Sequence, residues 1–97
     1  MRRARYQALA RAEIIEAAQF YNGRSVGLGD QFLDELETQL LVILAEPHRH
    51  RVVFKDVRCR TLKRFPFSVL YRIVPSGVQV LAVKHDKRHP DYWKDRL

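Results

Sequence analysis

The stretch from Arg58 to Trp93, RCRTLKRFPFSVLYRIVPSGVQVLAVKHDKRHPDYW, limits this chain to very few folds. Two runs rich in β-branched and aromatic residues, FSVLYRIV and VQVLAV, flank a Pro-Ser-Gly turn, and a third run precedes a Phe-Pro-Phe corner. Runs of this kind punctuated by turn residues fold as consecutive antiparallel strands. In the middle run Phe67, Val69, Tyr71 and Ile73 share one face and Ser68, Leu70, Arg72 and Val74 the other. Both faces are largely apolar, which places this strand inside a sheet. Pro75 has the fixed φ of a first turn position and Gly77 suits the left-handed residue of a three-residue loop, which sets Val78 to His85 against Phe67 to Val74.

Upstream the period changes. Ala10, Ile14, Ala17, Ala18 and Tyr21 recur at helical spacing, with Arg11, Glu13, Glu16 and Gln19 off that stripe. Asn22-Gly23 offers this helix a left-handed end, and Asp30 a cap for the next. The second helix carries its stripe on Phe32, Leu33, Leu36, Leu40, Ile43 and Leu44 and stops near Glu46, before Pro47. Its early acids, Asp34, Glu35 and Glu37, read as a solvated face near the positive end of the helix dipole. Arg2 to Leu9 fits either a short edge strand or a lead-in to the first helix, and Val52 to Lys55 either a short strand or an edge cover. Two adjacent helices pack as a hairpin, and the sheet is the other apolar surface that can cover their stripes. The expected fold is α+β, a single domain over residues 1–97, with the helical hairpin on one face of a mainly antiparallel sheet of three to four strands.

A chain of 97 residues supports one modest core, and 46% hydrophobic with 30% charged residues is a globular balance. No apolar run approaches the about 20 residues of a membrane helix, so the expected compartment is the cytoplasm, without membrane contact. Charge is unevenly divided. Residues 1–50 carry six Lys/Arg against seven Asp/Glu, net −1, and residues 51–97 carry twelve against four, net +8. A one-sided positive field points to an acidic or polyanionic partner. Direct DNA binding as a regulator fits that charge, but the second helix is acidic and no helix carries the cations of a recognition helix. The single cysteine, Cys59, reads as a buried strand residue. His48, His50, His85 and His89 lack the spacing of a metal site and have arginine neighbours, so neither metal nor cofactor is expected.

The whole chain resembles the RelE/ParE superfamily of small toxins from type II toxin-antitoxin, or plasmid stabilisation, systems. The residues that carry the resemblance are Ala12 to Tyr21 in the first helix, Gly27-Leu28-Gly29, and Pro47. In the second half they are Leu62 to Phe67, Val69 to Ile73, His85, Arg88 to Trp93 and Arg96. The resemblance implies one of two activities. ParE-type members poison DNA gyrase by binding it, whereas RelE-type members are endoribonucleases that cut messenger RNA on the translating ribosome. Ribonuclease members usually carry a basic residue three places before the tyrosine corresponding to Tyr71, and here that place is Ser68. The preceding strand offers Arg58, Arg60 and Lys63.

Cleaving RNA through its own 2′-hydroxyl needs a base, a proton donor to the leaving oxygen and cations over the phosphate. As a ribonuclease the chain would draw these from Arg88, Lys63, Arg60, Tyr92 and His85. Arginine is a poor base, so the incomplete set favours gyrase poisoning. As a binding toxin it would meet its target through Arg88, His89, Tyr92, Trp93, Lys63, Arg64 and Arg72, cations and aromatics suited to anchoring on a charged surface. Within this set Trp93 reads as packing and Arg88 as functional, with Lys84 extending the basic surface. The resemblance also implies a cognate antitoxin, whose acidic, partly disordered segment would wrap the domain over its basic sheet surface and an apolar groove beside the helices.

Overall fold

The computed structural model describes residues 2–97. Strand β1 (Arg3–Tyr6) leads into helices α1 (Ala8–Arg24) and α2 (Leu28–Ala45). Strands β2 (Val52–Phe54), β3 (Val57–Thr61), β4 (Phe67–Val74) and β5 (Gly77–His85) follow, then a 3-10 turn at Lys94–Arg96. The sheet order is β1-β5-β4-β3-β2. β2 to β5 form an antiparallel meander, and β1 lies parallel to β5 at the edge. This is the expected α+β arrangement, and both undecided segments prove to be strands, giving five. Among the described residues no helix is long and apolar enough to cross a membrane.

The helical hairpin covers one sheet face. Phe67, Val69 and Tyr71 of β4 and Val78 and Val80 of β5 bury their side chains against Ala10, Ala17, Phe32, Leu36, Leu40 and Ile43. Tyr21, Phe32, Phe65 and Phe67 meet mostly edge to face, with Tyr21 and Phe65 ring centroids 4.9 Å apart, a favoured aromatic geometry. The Phe-Pro-Phe corner therefore plugs this core. Small residues let the helices approach closely: a Cβ on Gly29 would fall 2.1 Å from the Ala18 carbonyl oxygen. The opposite face carries a smaller cluster of Val57, Leu70, Leu81, Ala82 and Trp93, with Cys59 half-buried against it.

Several local expectations give way to tertiary contacts. α1 runs through Asn22-Gly23 to Arg24, and the Asn22 side chain instead accepts a hydrogen bond from the Gly29 N–H at 2.8 Å. α2 starts at Leu28, and its N-cap is the left-handed Gly27 rather than Asp30. The β4–β5 loop holds two residues, because Val74 pairs directly with Gly77. Gly77 has φ +144°, and a Cβ there would strike the Arg3 backbone oxygen at 2.1 Å. Glycine is thus required by the close passage of β1 as well as by the turn. The β4–β5 register shifts once: Leu70 faces Ala82 and Tyr71 faces Val80. The extra residue, Leu81, forms a bulge that turns both Leu81 and Ala82 toward the smaller cluster.

Candidate functional site

Where β1 ends at Tyr6, the outer edge of β5 continues to His85 without a strand partner. An unpaired edge leaves N–H and C=O groups exposed, and here side chains occupy them. The Val83 N–H donates to Glu13 Oε1 at 3.1 Å, and the Leu81 carbonyl accepts from Arg96 Nη1 at 3.0 Å. Glu13, on α1, is the centre of the arrangement. Its carboxylate also accepts hydrogen bonds from Tyr92 Oη at 2.5 Å, Arg88 Nη1 at 3.2 Å and Arg96 Nη1 and Nη2 at 2.9 and 3.1 Å.

The side chain of Glu13 is only 11% exposed. Its burial is tolerable because two cations and two neutral donors surround it. Both arginines also lie over the Tyr92 ring, with guanidinium carbons 3.7 Å (Arg88) and 5.0 Å (Arg96) from the ring centre. Burial, then the hydrogen bond to Glu13, drives the Tyr92 phenol well above its ordinary range. Arg96's own hydrogen bonds to Glu13 raise its pKa as well.

The two arginines are held unequally. Arg96 is 9% exposed, makes two bonds to Glu13 and one to Leu81, while its own carbonyl accepts from Gln7 Nε2. Arg88 is 53% exposed and makes a single bond. Beside it a cleft of about 490 Å³ opens between α1 and the end of β5, lined by Glu16, Ala17, Phe20, Phe67, His85 and Arg88 among others. The His85 ring stands edge-on to Phe67 at 5.0 Å.

The other expected site residues lie apart from this cleft. Trp93 is 2% exposed, packed in the smaller cluster and edge-on to Phe54 at 6.0 Å, so it offers no face to a target. His89 is exposed, with Nδ1 accepting from the Asp91 N–H. Lys63 and Arg64 sit in the β3–β4 turn, where both backbone N–H groups donate to Glu35 and the Arg64 guanidinium reaches Gln31. Glu35 thus clamps a turn instead of belonging to a merely solvated face. Arg60 points to the helix side and donates to the buried Gln39 at 2.8 Å. Arg72 forks onto Asp56 at 2.9 to 3.0 Å, and Lys94 pairs with Asp91 at 2.8 Å.

Much of the expected basic surface is therefore neutralised within the chain. Arg72, Arg88, Lys94 and Arg96 each meet a carboxylate. Of the five groups considered for catalysis, only His85 and Arg88 line one cleft, and Tyr92 joins them through Glu13. On the opposite sheet face Ser68 hydrogen-bonds Asp86 at 2.8 Å in a cleft of about 450 Å³ that it shares with Cys59, Thr61 and Lys84. Among the described residues no three His, Cys, Asp or Glu side chains converge to hold a metal ion. The four donors to Glu13 could not be foreseen from the sequence, since the tail groups lie 75 to 83 residues downstream of it.

A second apolar groove, about 570 Å³, runs between α1, α2 and β1 past Tyr6, Ile14, Ile15, Leu33, Leu41 and Leu44, with Arg11 and Glu37 at its rim. It is the groove expected beside the helices. Ile15 and Leu41 are largely exposed in it, a patch of the kind that marks interaction surfaces.

No individually curated protein matches the sequence. Among solved structures, the chromosomal ParDE toxin-antitoxin system from P. aeruginosa superimposes with a TM-score of 0.75 at 20% identity, over 88% of this chain and 96% of that one. That likeness establishes the shared fold. The family model for the ParE toxin of the type II toxin-antitoxin system parDE matches residues 4–90. The chain belongs to the ParE family of type II toxins.

Proposed function

We propose that this toxin arrests growth in the cytoplasm by gripping DNA gyrase, and that a cognate antitoxin holds it in check. The observation that carries this reading is the dispersal of the groups a ribonuclease would need. Arg60 is committed to Gln39 and the Tyr92 hydroxyl to Glu13, and Lys63 sits in the β3–β4 turn away from the His85–Arg88 cleft. Ser68 occupies the place of the usual cation and is bonded to an aspartate. Preorganised charge over a scissile phosphate requires convergence, and of the candidate set only His85 and Arg88 share a cleft, with Arg60 and Lys63 elsewhere. A binding toxin needs only exposed contact points, and Arg88 and His89 on the tail and Lys63 and Arg64 in the β3–β4 turn are exposed as two separate groups.

The groove between the helices and β1 suits the antitoxin. An amphipathic segment laid along it covers Ile15, Leu33 and Leu41, and its acidic side meets Arg11 and the arginines of β1. Mixed charge contact of this kind weakens as salt rises.

Induction of the toxin without its antitoxin tests the target. The expected result is a DNA-damage response with loss of gyrase supercoiling and intact messages. Codon-dependent cleavage of translated messages without DNA breakage overturns the gyrase reading in favour of the ribonuclease, with His85 and Arg88 as its first suspects. Arg88→Ala in stably folded toxin is expected to reduce toxicity; unchanged toxicity removes Arg88 from the target surface.

A further inference from the structure

The cleft between α1 and the end of β5 combines three features that together specify a partner. Its floor is apolar, built from Ala17, Phe67 and Val83, and Phe20 stands at its side with 57% of its surface in water. An aromatic left this open at a concave site is a typical anchor for a partner side chain. The two walls carry opposite charge, with Glu16 exposed on the helix side and Arg88 on the strand side.

The third feature is the spare bond at Glu13. If Arg88 turns away, Glu13 keeps the donors from Val83, Tyr92 and both Arg96 nitrogens. No buried charge is left alone, so the exchange avoids the large penalty of breaking a buried pair. Arg96 has no such freedom, since it is buried and its release would strand both itself and the Leu81 carbonyl. Arg88 is thus oriented by the Tyr92 ring and held in reserve by a bond that a partner's acid can replace.

We infer that this cleft docks a protein segment bearing an apolar side chain beside a carboxylate: the side chain covers Phe20 and Phe67, and the carboxylate takes Arg88 from Glu13. A polyphosphate strand fits poorly, because it would gain Arg88 but run against Glu16 and the Glu13 carboxylate. A segment with one acid, and a neutral or basic group toward Glu16, meets both walls. The inference does not depend on which machine the toxin poisons, and its readout is binding rather than growth.

The test uses the full chain and three probes followed by NMR: acetyl-Lys-Phe-Leu-Glu-amide, the same peptide with Gln for Glu, and a single-stranded hexanucleotide. The expected result is a saturable shift of the Phe20 and Phe67 ring signals and the Arg88 Nε–H with the Glu peptide. Replacing its Glu by Gln, or Arg88→Ala, should each weaken binding about tenfold, the scale of one charge-assisted hydrogen bond. Phe20→Ala should weaken it as well. No saturable shift, equal affinity for the Glu and Gln peptides, or preference for the hexanucleotide overturns the inference. The two-peptide comparison in the unaltered protein keeps the test decisive if a variant fails to fold.

Discussion

The two faces of the sheet are built by different means. On the helix side, Phe32, Tyr71, Val69, Val78 and Val80 are fully buried, and their positions follow from periods of two along strands and of three to four along helices. On the opposite side the cluster is small, and two singular events create it: the Leu81 bulge and the return of Trp93. The segment carrying Trp93 is then tied to α1 by one carboxylate. The first face is a core that many residues share, and the second is a strap that few residues hold. Packing that is distributed resists single losses within a cooperative unit, whereas a strap with one knot opens as a piece.

The largest effect tests the shared core. Phe32 is 0% exposed and touches the rings of Tyr21, Phe65 and Phe67, so Phe32→Ala should cost about 4 kcal/mol. Denaturant unfolding should show one transition moved to lower concentration, with both helices and sheet lost together. A separate early transition would contradict a single distributed core.

Next in size is the knot. Glu13→Ala leaves Arg96 buried without its acid and Val83 without an acceptor, a loss of about 3 kcal/mol if the tail stays in place. The strap description predicts a different outcome: hydrogen exchange should rise across residues 86–97 and at Val83, while the amides of α2 and β4 remain protected. Uniform acceleration would show that the tail belongs to the core after all.

A smaller effect is expected from the link between α2 and β2. His50 is buried, its Nε2 has no hydrogen-bond partner, and its ring stands edge-on to Tyr71. Burial, then Arg60, Arg49 and Arg58, hold its pKa below the ordinary 6.5. The unfolded chain therefore takes up this proton before the folded one, and stability should fall as pH drops from 6.5 toward the depressed value. His50→Phe should flatten that part of the pH profile, measured by the unfolding midpoint between pH 7.5 and 5. An unchanged slope would assign the acid sensitivity elsewhere.

Most of the helix-side face was legible in the sequence. The alternation of Phe67, Val69, Tyr71 and Ile73, the helical stripes, and the Phe65-Pro66-Phe67 corner each declare their surroundings within a few neighbours, and the resemblance to known toxins agrees with the order of elements they give. The strap was not legible. Glu13 is one of several acids off the stripe of α1, and nothing near it distinguishes a carboxylate that will collect distant donors from one that meets water. The bulge was equally silent, since Val80, Leu81 and Ala82 are all apolar and alternation alone cannot say where it skips. The helix start at Leu28 and the two-residue turn depart from local preference where Gly29 abuts the Ala18 carbonyl and Gly77 abuts β1. Trp93, expected to pack, is buried, whereas Arg60, a candidate for catalysis, and Arg72, a candidate target contact, are internally engaged.

β1 has a consequence for how the chain comes into being. Synthesis proceeds from the amino end, yet the first strand must wait for Gly77 to Val80, and Glu13 for an amide 70 positions later. Early residues of a nascent chain fold as they emerge only if their neighbours already exist. Here they do not, so β1 can join the sheet and Glu13 can collect its donors only after β5 and the tail have been made.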